Sequence, residues 1–253
     1  MNEFLMITGA FVSGLLGGFL GLGGGVLLVP FLTLAFFMPI QQAAALSLAT
    51  VMANSLVSST EYLKSNLIDL KLVILFSFFA SVGAIAAGVV GHYIPGNYLQ
   101  IAFALILIHA TFLILRRRDE SPHQKARSLL SRPVTTVAIA VATGILSTLL
   151  GVGGGIIIIP ASYLILNYPM DISRGSSTFA IGIIATAGSV VYLIHGTLRV
   201  ECAGPIMLGT MAGGWLGGLL GAKTKSGIIK PIFAILFVYL AIKMFLSGIA
   251  HEF

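Results

Sequence analysis

Apolar residues fill this chain in long stretches, separated by short polar breaks. In the first half the stretches lie at about 4–20, 26–38, 42–60, 72–91 and 98–115; in the second they lie at about 134–150, 156–168, 172–194, 201–221 and 229–249. Between the halves sits one long polar run, Arg116 to Arg132, RRRDESPHQKARSLLSR. The pattern divides the chain into units 1–115 and 133–253 with a linker at 116–132. Crossing a bilayer core of about 30 Å takes around 20 apolar residues at 1.5 Å rise each. The third and fourth stretches of each half reach that length and the fifth nearly does. The first two are short and joined only by glycines. They predict a hairpin or broken helix whose Gly21–Gly25 turn lies inside the membrane.

The two halves repeat one another. Residues Gly14 to Pro30 read GLLGGFLGLGGGVLLVP, and Gly144 to Pro160 read GILSTLLGVGGGIIIIP, a constant offset of 130 (144 − 14). The same offset pairs Pro39 with Pro169, Ser47 with Ser177, Ser59 with Ser189, Tyr62 with Tyr192, Gly83 with Gly213 and Phe103 with Phe233. Alignment without a gap over roughly a hundred positions marks an internal duplication. The predicted fold is therefore an all-α polytopic membrane protein made of two repeats of about 120 residues. Each contributes a Gly-interrupted short-helix hairpin and three transmembrane helices.

Composition agrees. Hydrophobic residues make up 57% of the chain, charged residues 9%, and mean hydropathy is +1.04. A soluble domain needs about 25% charge to hydrate its surface. The lone Cys202 excludes an intramolecular disulfide and any Cys-based metal site. Glu3 is the only charge ahead of the first apolar run, unlike a secretory leader, so that run is read as retained.

Loop charges orient the halves. The net charge of +6 lies mostly in loops and speaks to topology rather than to nucleic acid. The basic linker belongs in the cytoplasm, as does 61–71 with Lys64 and Lys71, whereas 91–98 has no Lys or Arg and belongs outside. Its counterpart, 222–230, carries Lys223, Lys225 and Lys230 and belongs inside. Equivalent loops on opposite faces make the repeats inverted, with both termini outside. That requires an odd number of crossings per half: three with a re-entrant hairpin, or five if both short stretches span. Four crossings would make the repeats parallel and put Lys223–Lys230 outside.

Triple glycines allow positive φ and close approach of a ligand to the backbone. The segment after each turn opens with unpaired N–H groups and the positive end of a helix dipole, which suits an anion. Gly-interrupted apolar segments at matching places in two halves are a pointer to a transporter's binding site. The candidate substrate-binding set is Gly23, Gly24, Gly25, Gly153, Gly154 and Gly155, with Ser47, Asn54, Ser177 and Thr178 from the following stretches and Thr148 as a weaker addition. A methyl group at Gly24 or Gly154 is expected to intrude on the bound anion. The alternative is that these glycines, like the Gly213, Gly217 and Gly221 stripe, only let helices pack closely. Asn54 stands opposite Ile184 in the repeat, and an uncharged amide there can donate to an anion without burying a charge.

In its two copies of GxGGGxxxxP (Gly21, Gly23, Gly24, Gly25, Pro30; Gly151, Gly153, Gly154, Gly155, Pro160), the chain resembles the TauE/SafE sulfite-exporter family. The resemblance covers essentially the whole chain. It implies a bacterial inner-membrane permease or exporter moving a small anion, a sulfur oxyanion or organosulfonate such as sulfite, and it leaves the cargo open. The expected mechanism is alternating access around two re-entrant turns, with the lipid bilayer and the anion as partners. A coupling ion, proton or sodium, cannot be chosen, nor can the oligomeric state. A passive anion channel on the same scaffold remains an alternative.

Other residues add less. His109 is a packing residue or a proton relay; Arg199, near His195 and Glu201, is a solvated loop residue or an anion attractor. Asp171 is expected to cap the helix after Pro169, with Arg174 in its first turn as a cytoplasmic anion-entry candidate. An intramembrane enzyme has no motif in its favour: HExxH and GxSxG are absent, and GGLLGAKT at 217–224 fails the P-loop pattern. No cofactor, metal site or nucleic-acid partner is implied.

Overall fold

The computed structural model describes residues 2–116, 133–198, 200–224 and 226–250. The linker residues 117–132, Arg199 and Lys225 lie outside the described residues, as do the side chains of Glu201, Cys202, Lys230 and Phe233. Among the described residues the fold is all-helical. Ten α-helices follow in order: α1 Asn2–Leu20, α2 Gly25–Ala35, α3 Ile40–Lys64, α4 Leu70–Val90, α5 Gly96–Arg116, α6 Pro133–Leu150, α7 Gly155–Pro160, α8 Met170–Ile194, α9 Val200–Lys223 and α10 Ser226–Ala250. A π-helical turn, Ala161–Ile165, extends α7, so that 155–165 occupies the place of α2. Prolines inside both pieces, Pro30 and Pro160, each remove one helical hydrogen bond.

Helices α3, α4 and α8 are long and apolar enough to cross a membrane. The fold turns large apolar side chains outward on its peripheral helices: Ile74, Phe78, Val82 and Ile85 on α4, and Ile235, Ile242 and Leu246 on α10. Faces of that size and continuity are what lipid, not water, covers. The polar residues instead gather inside, with Ser47, Thr50, Asn54, Ser55 and Ser58 of α3 and Ser173, Ser176, Ser177 and Thr178 of α8 all buried.

Close backbone approach sets the helix pairing. Gly213 of α9 lies against Phe11 and Leu15 of α1, Gly217 against Leu15 and Phe19, and Gly221 against Phe19, so α1 and α9 run parallel in intimate contact. Gly214 and Gly218 fit against Asn54 and Ser58 of α3 on the other side of α9. In the same manner Gly83 of α4 meets Val141 and Ile145 of α6, and Gly144 meets Ala80. Helices α3 and α8 cross antiparallel, with Ser55 beside Gly182 and Leu48 beside Gly188. With no hydrophobic drive between helices in lipid, such small-residue contacts hold the bundle by dispersion and interhelical hydrogen bonding.

Candidate functional site: paired glycine turns

Each hairpin turns through left-handed backbone. Gly21, Gly23 and Gly24 have φ of 79°, 78° and 91°; Gly151, Gly153 and Gly154 have 69°, 81° and 92°. A side chain in these conformations costs roughly 1–2 kcal/mol per residue, and glycine avoids that cost. Gly24 and Gly154 are the N-caps of α2 and α7, and their carbonyls accept from Leu27 and Leu28, and from Ile157 and Ile158. The N–H groups of Gly25 and Val26, and of Gly155 and Ile156, have no intrahelical acceptor.

The two turns lie against one another in the middle of the bundle. A Cβ at Gly155 would sit 2.8 Å from the Leu22 Cα and 3.2 Å from the Gly21 carbonyl oxygen, and one at Gly25 would strike the Gly151 carbonyl. Gly23 and Gly153 both rest on Val51 of α3 and Ile181 of α8, two residues separated by the repeat offset. The structure thus brings all six turn glycines together at the α3–α8 crossing, buried and tightly packed.

Several of the polar candidates serve the turns directly. Ser47 Oγ donates to the Gly151 carbonyl at 2.6 Å, and Asn54 Nδ2 donates to the Gly23 carbonyl at 2.8 Å. The Ser47 hydroxyl and one of the two Asn54 amide N–H groups are thus engaged by the turns, so Ser47 and Asn54 position them. Thr178 Oγ1 donates back to the Arg174 carbonyl at 2.9 Å. Ser177 and Thr148 are buried, and their hydroxyls have no protein partner. Tyr62 donates to the Gly18 and Phe19 carbonyls at 3.0 and 3.1 Å, and Tyr192 to the Thr148 carbonyl at 3.2 Å, holding the ends of α1 and α6.

Two expectations change. A methyl at Gly24 would point to the Ser13 carbonyl at 2.9 Å, and one at Gly154 to Thr143 Cγ2 at 2.9 Å. Both meet a packed helix, so each disturbs the packing of the turn. His109 is exposed on the bundle surface and is not a buried packing residue.

Sequence reasoning missed the burial of Arg174. An arginine in the first turn of a helix after Asp171 reads as solvated, yet its side chain is 0% exposed. Its Nη2 donates to the Phe19 carbonyl, to Tyr62 Oη at 2.9 Å and to the Gly221 carbonyl at 3.1 Å; Nη1 lies 3.5 Å from Asp171 Oδ1. The guanidinium also lies over the Tyr62 and Phe19 rings, 5.7 and 5.9 Å from their centroids. It therefore sits on the negative, C-terminal ends of α1 and α9. The sequence offset of 130 held the available signal, because it sets Ala44 opposite Arg174.

A cavity of about 560 Å³ opens between the α2–α3 corner and α5, lined by Thr33, Pro39, Gln41, Asn97 and Gln100, with Ser247 from α10. Beside Gly154 only a crevice of about 10 Å³ remains, room for one water at most. Among the described residues no group of His, Cys, Asp or Glu is placed to hold a metal ion.

Residues 5–244 match the family model described as sulfite exporter TauE/SafE. The chain belongs to the TauE/SafE sulfite-exporter family. Relatives in that setting are named as transporters. The probable membrane transporter protein YunE of Bacillus subtilis is 25% identical over 98% of this chain and 99% of its own length. YdhB of the same organism, also a probable membrane transporter protein, is 29% identical over 84% of this chain and 88% of its own. The probable membrane transporter protein MJ0441 of Methanocaldococcus jannaschii is 30% identical over 76% and 73%. No solved structure matches the chain. For this TauE/SafE member, the family and the outward apolar faces together establish a membrane transporter.

Proposed function

We propose that this transporter carries a small oxyanion, a sulfur oxyanion or organosulfonate such as sulfite, by alternating access around the paired glycine turns. The observation that carries the reading is the contact of the two glycine turns in the middle of a helical bundle, with the helix N-terminus at Gly25 against Gly151 of the other turn and that at Gly155 against Gly21 and Leu22. Their first-turn N–H groups and dipoles favour negative charge, and irregular backbone at membrane depth persists where it borders protein or a substrate path. In this reading residues 1–115 and 133–253 are inverted copies, the linker 116–132 is cytoplasmic, and the protein is a multi-pass protein of a bacterial inner membrane. The antiparallel crossing of α3 with α8 supports inversion, as does the exchange of partners by which α1 packs on α9 while α6 packs on α4. The tight contact between the turns favours a carrier over a passive channel, since an ion in transit has to part them. The cavity at the α2–α3 corner is then the outward mouth.

The test is flux in proteoliposomes with sulfite, sulfate, thiosulfate, organosulfonates and carboxylates. Saturable, counter-gradient movement of one of these anions is expected. Cation movement with no anion flux would overturn the reading.

A further inference from the structure

Resting on the anion reading above and naming residues for it, we propose that Ser173, Arg174 and Ser177 form an oxyanion-docking site on the first two turns of α8, against the first glycine turn. Arg174 is the one fully buried charge among the described residues. A buried cation is costly unless it is paired. Its ionic partner Asp171 stands at 3.5 Å and is itself 40% exposed, and its other acceptors are neutral carbonyls and a phenol. The charge is therefore incompletely balanced by the protein.

Three donors at this place have no acceptor: Arg174 Nε, Ser173 Oγ and Ser177 Oγ. All three side chains are 0% exposed. Buried polar groups are satisfied in about nine cases of ten, so three unmet donors within five residues call for a ligand. Ser173 and Ser177 are one turn apart and share a helix face. Guanidinium N–H groups can only donate, and beside a guanidinium the hydroxyls are best used as donors too. The complement is a compact anion with several oxygens: one on the Nε edge of the guanidinium, the others on the two hydroxyls. A metal cation has no ligand here.

The place adjoins the turn, for a Cβ at Gly21 would lie 2.9 Å from the Arg174 carbonyl and 3.0 Å from its Cβ. It is also one-sided. The equivalents in the first half are Ala43, Ala44 and Ser47, and Ser47 already donates to the Gly151 carbonyl. An anion that draws the guanidinium toward itself competes with the Phe19 and Gly221 carbonyls for the same cation, which links occupancy to the ends of α1 and α9.

The test uses the purified full chain and measures dissociation constants for sulfite, sulfate and ethanesulfonate by calorimetry, with thermal unfolding of each variant. Ser173→Ala and Ser177→Ala break no hydrogen bond of this state, so both should unfold at close to the parent temperature. Each should weaken binding of the anion that the parent binds by about five- to tenfold. Arg174→Lys keeps the charge without the fork and should weaken it more than either serine variant. Parent-like affinity in both serine variants would overturn the site while leaving anion transport standing, because the parent still binds. Unfolding of both serine variants would also overturn it, since the hydroxyls would then serve the fold. A parent chain that binds and moves none of these anions would remove the anion reading, and this site with it.

Discussion

Gly217→Ala tests whether the α1–α9 contact is as close as the structure has it. An added methyl at Gly217 would strike the Leu15 carbonyl oxygen and lie 2.8 Å from both the Leu15 carbonyl carbon and the Phe19 nitrogen. All three atoms are backbone within α1, so no side-chain rotation can make room and the helices must separate. Overpacking of this kind costs about 1–3 kcal/mol, and rigid neighbours put this case near the upper end. Replacing glycine by alanine inside a helix returns about 1 kcal/mol of propensity. The net loss is about 2 kcal/mol, which for a chain of this size lowers Tm by roughly 4–8 °C. Gly217→Val, bulkier and β-branched, should lose more. Leu220→Ala is the control: it lies on the same helix, is half-exposed, and should shift Tm by no more than about 2 °C. The assay is thermal unfolding of the purified protein in detergent, followed by intrinsic fluorescence. A Gly217→Ala protein as stable as the parent, with no further loss in Gly217→Val, would refute the parallel close packing of α1 on α9.

Four further outcomes are expected. Gly24→Ala places a side chain at φ 91° and against the Ser13 carbonyl, so it should cost about 1–3 kcal/mol of stability and slow transport, read from unfolding and flux on one preparation. Asn54→Ala leaves the buried Gly23 carbonyl without its donor and should destabilise by about 1–3 kcal/mol in the same unfolding assay. Asp69 caps α4 by accepting from the Lys71 and Leu72 N–H groups at 2.9 and 3.2 Å, so Asp69→Ala should cost about 1 kcal/mol, measured by denaturant unfolding. Single cysteines near Gly96 and at Lys225, in a Cys202-free background, should label from opposite faces; labelling of both from outside would mean parallel repeats.

Much of this architecture was legible because the signals are local or periodic. A helix in lipid must satisfy its own backbone, so length and apolarity mark it, and the ten stretches read from the sequence fall within or close to the helices observed. The turns were legible for a similar reason. Three consecutive glycines inside an apolar run have few uses besides left-handed backbone, and their φ values lie between 78° and 92° apart from Gly25 and Gly155, which already open α2 and α7. What the polar residues do was not legible. Asn54 and Ser47 read as donors to an anion, yet their partners are carbonyls 31 and 104 residues away in the chain.

By itself, then, the sequence determined the helical class, the residence in lipid and the placing of two glycine turns, because each follows from composition or from neighbours a few residues apart. Tertiary structure decided the rest. It laid the two turns against each other at Val51 and Ile181, and it sealed Arg174 beneath two helix ends through the carbonyls of Phe19, 155 residues before it, and Gly221, 47 after it. Burial belongs to whatever distant segment comes to lie on a residue. A charge in the first turn of a helix therefore has the same local pattern whether water or the body of the protein covers it.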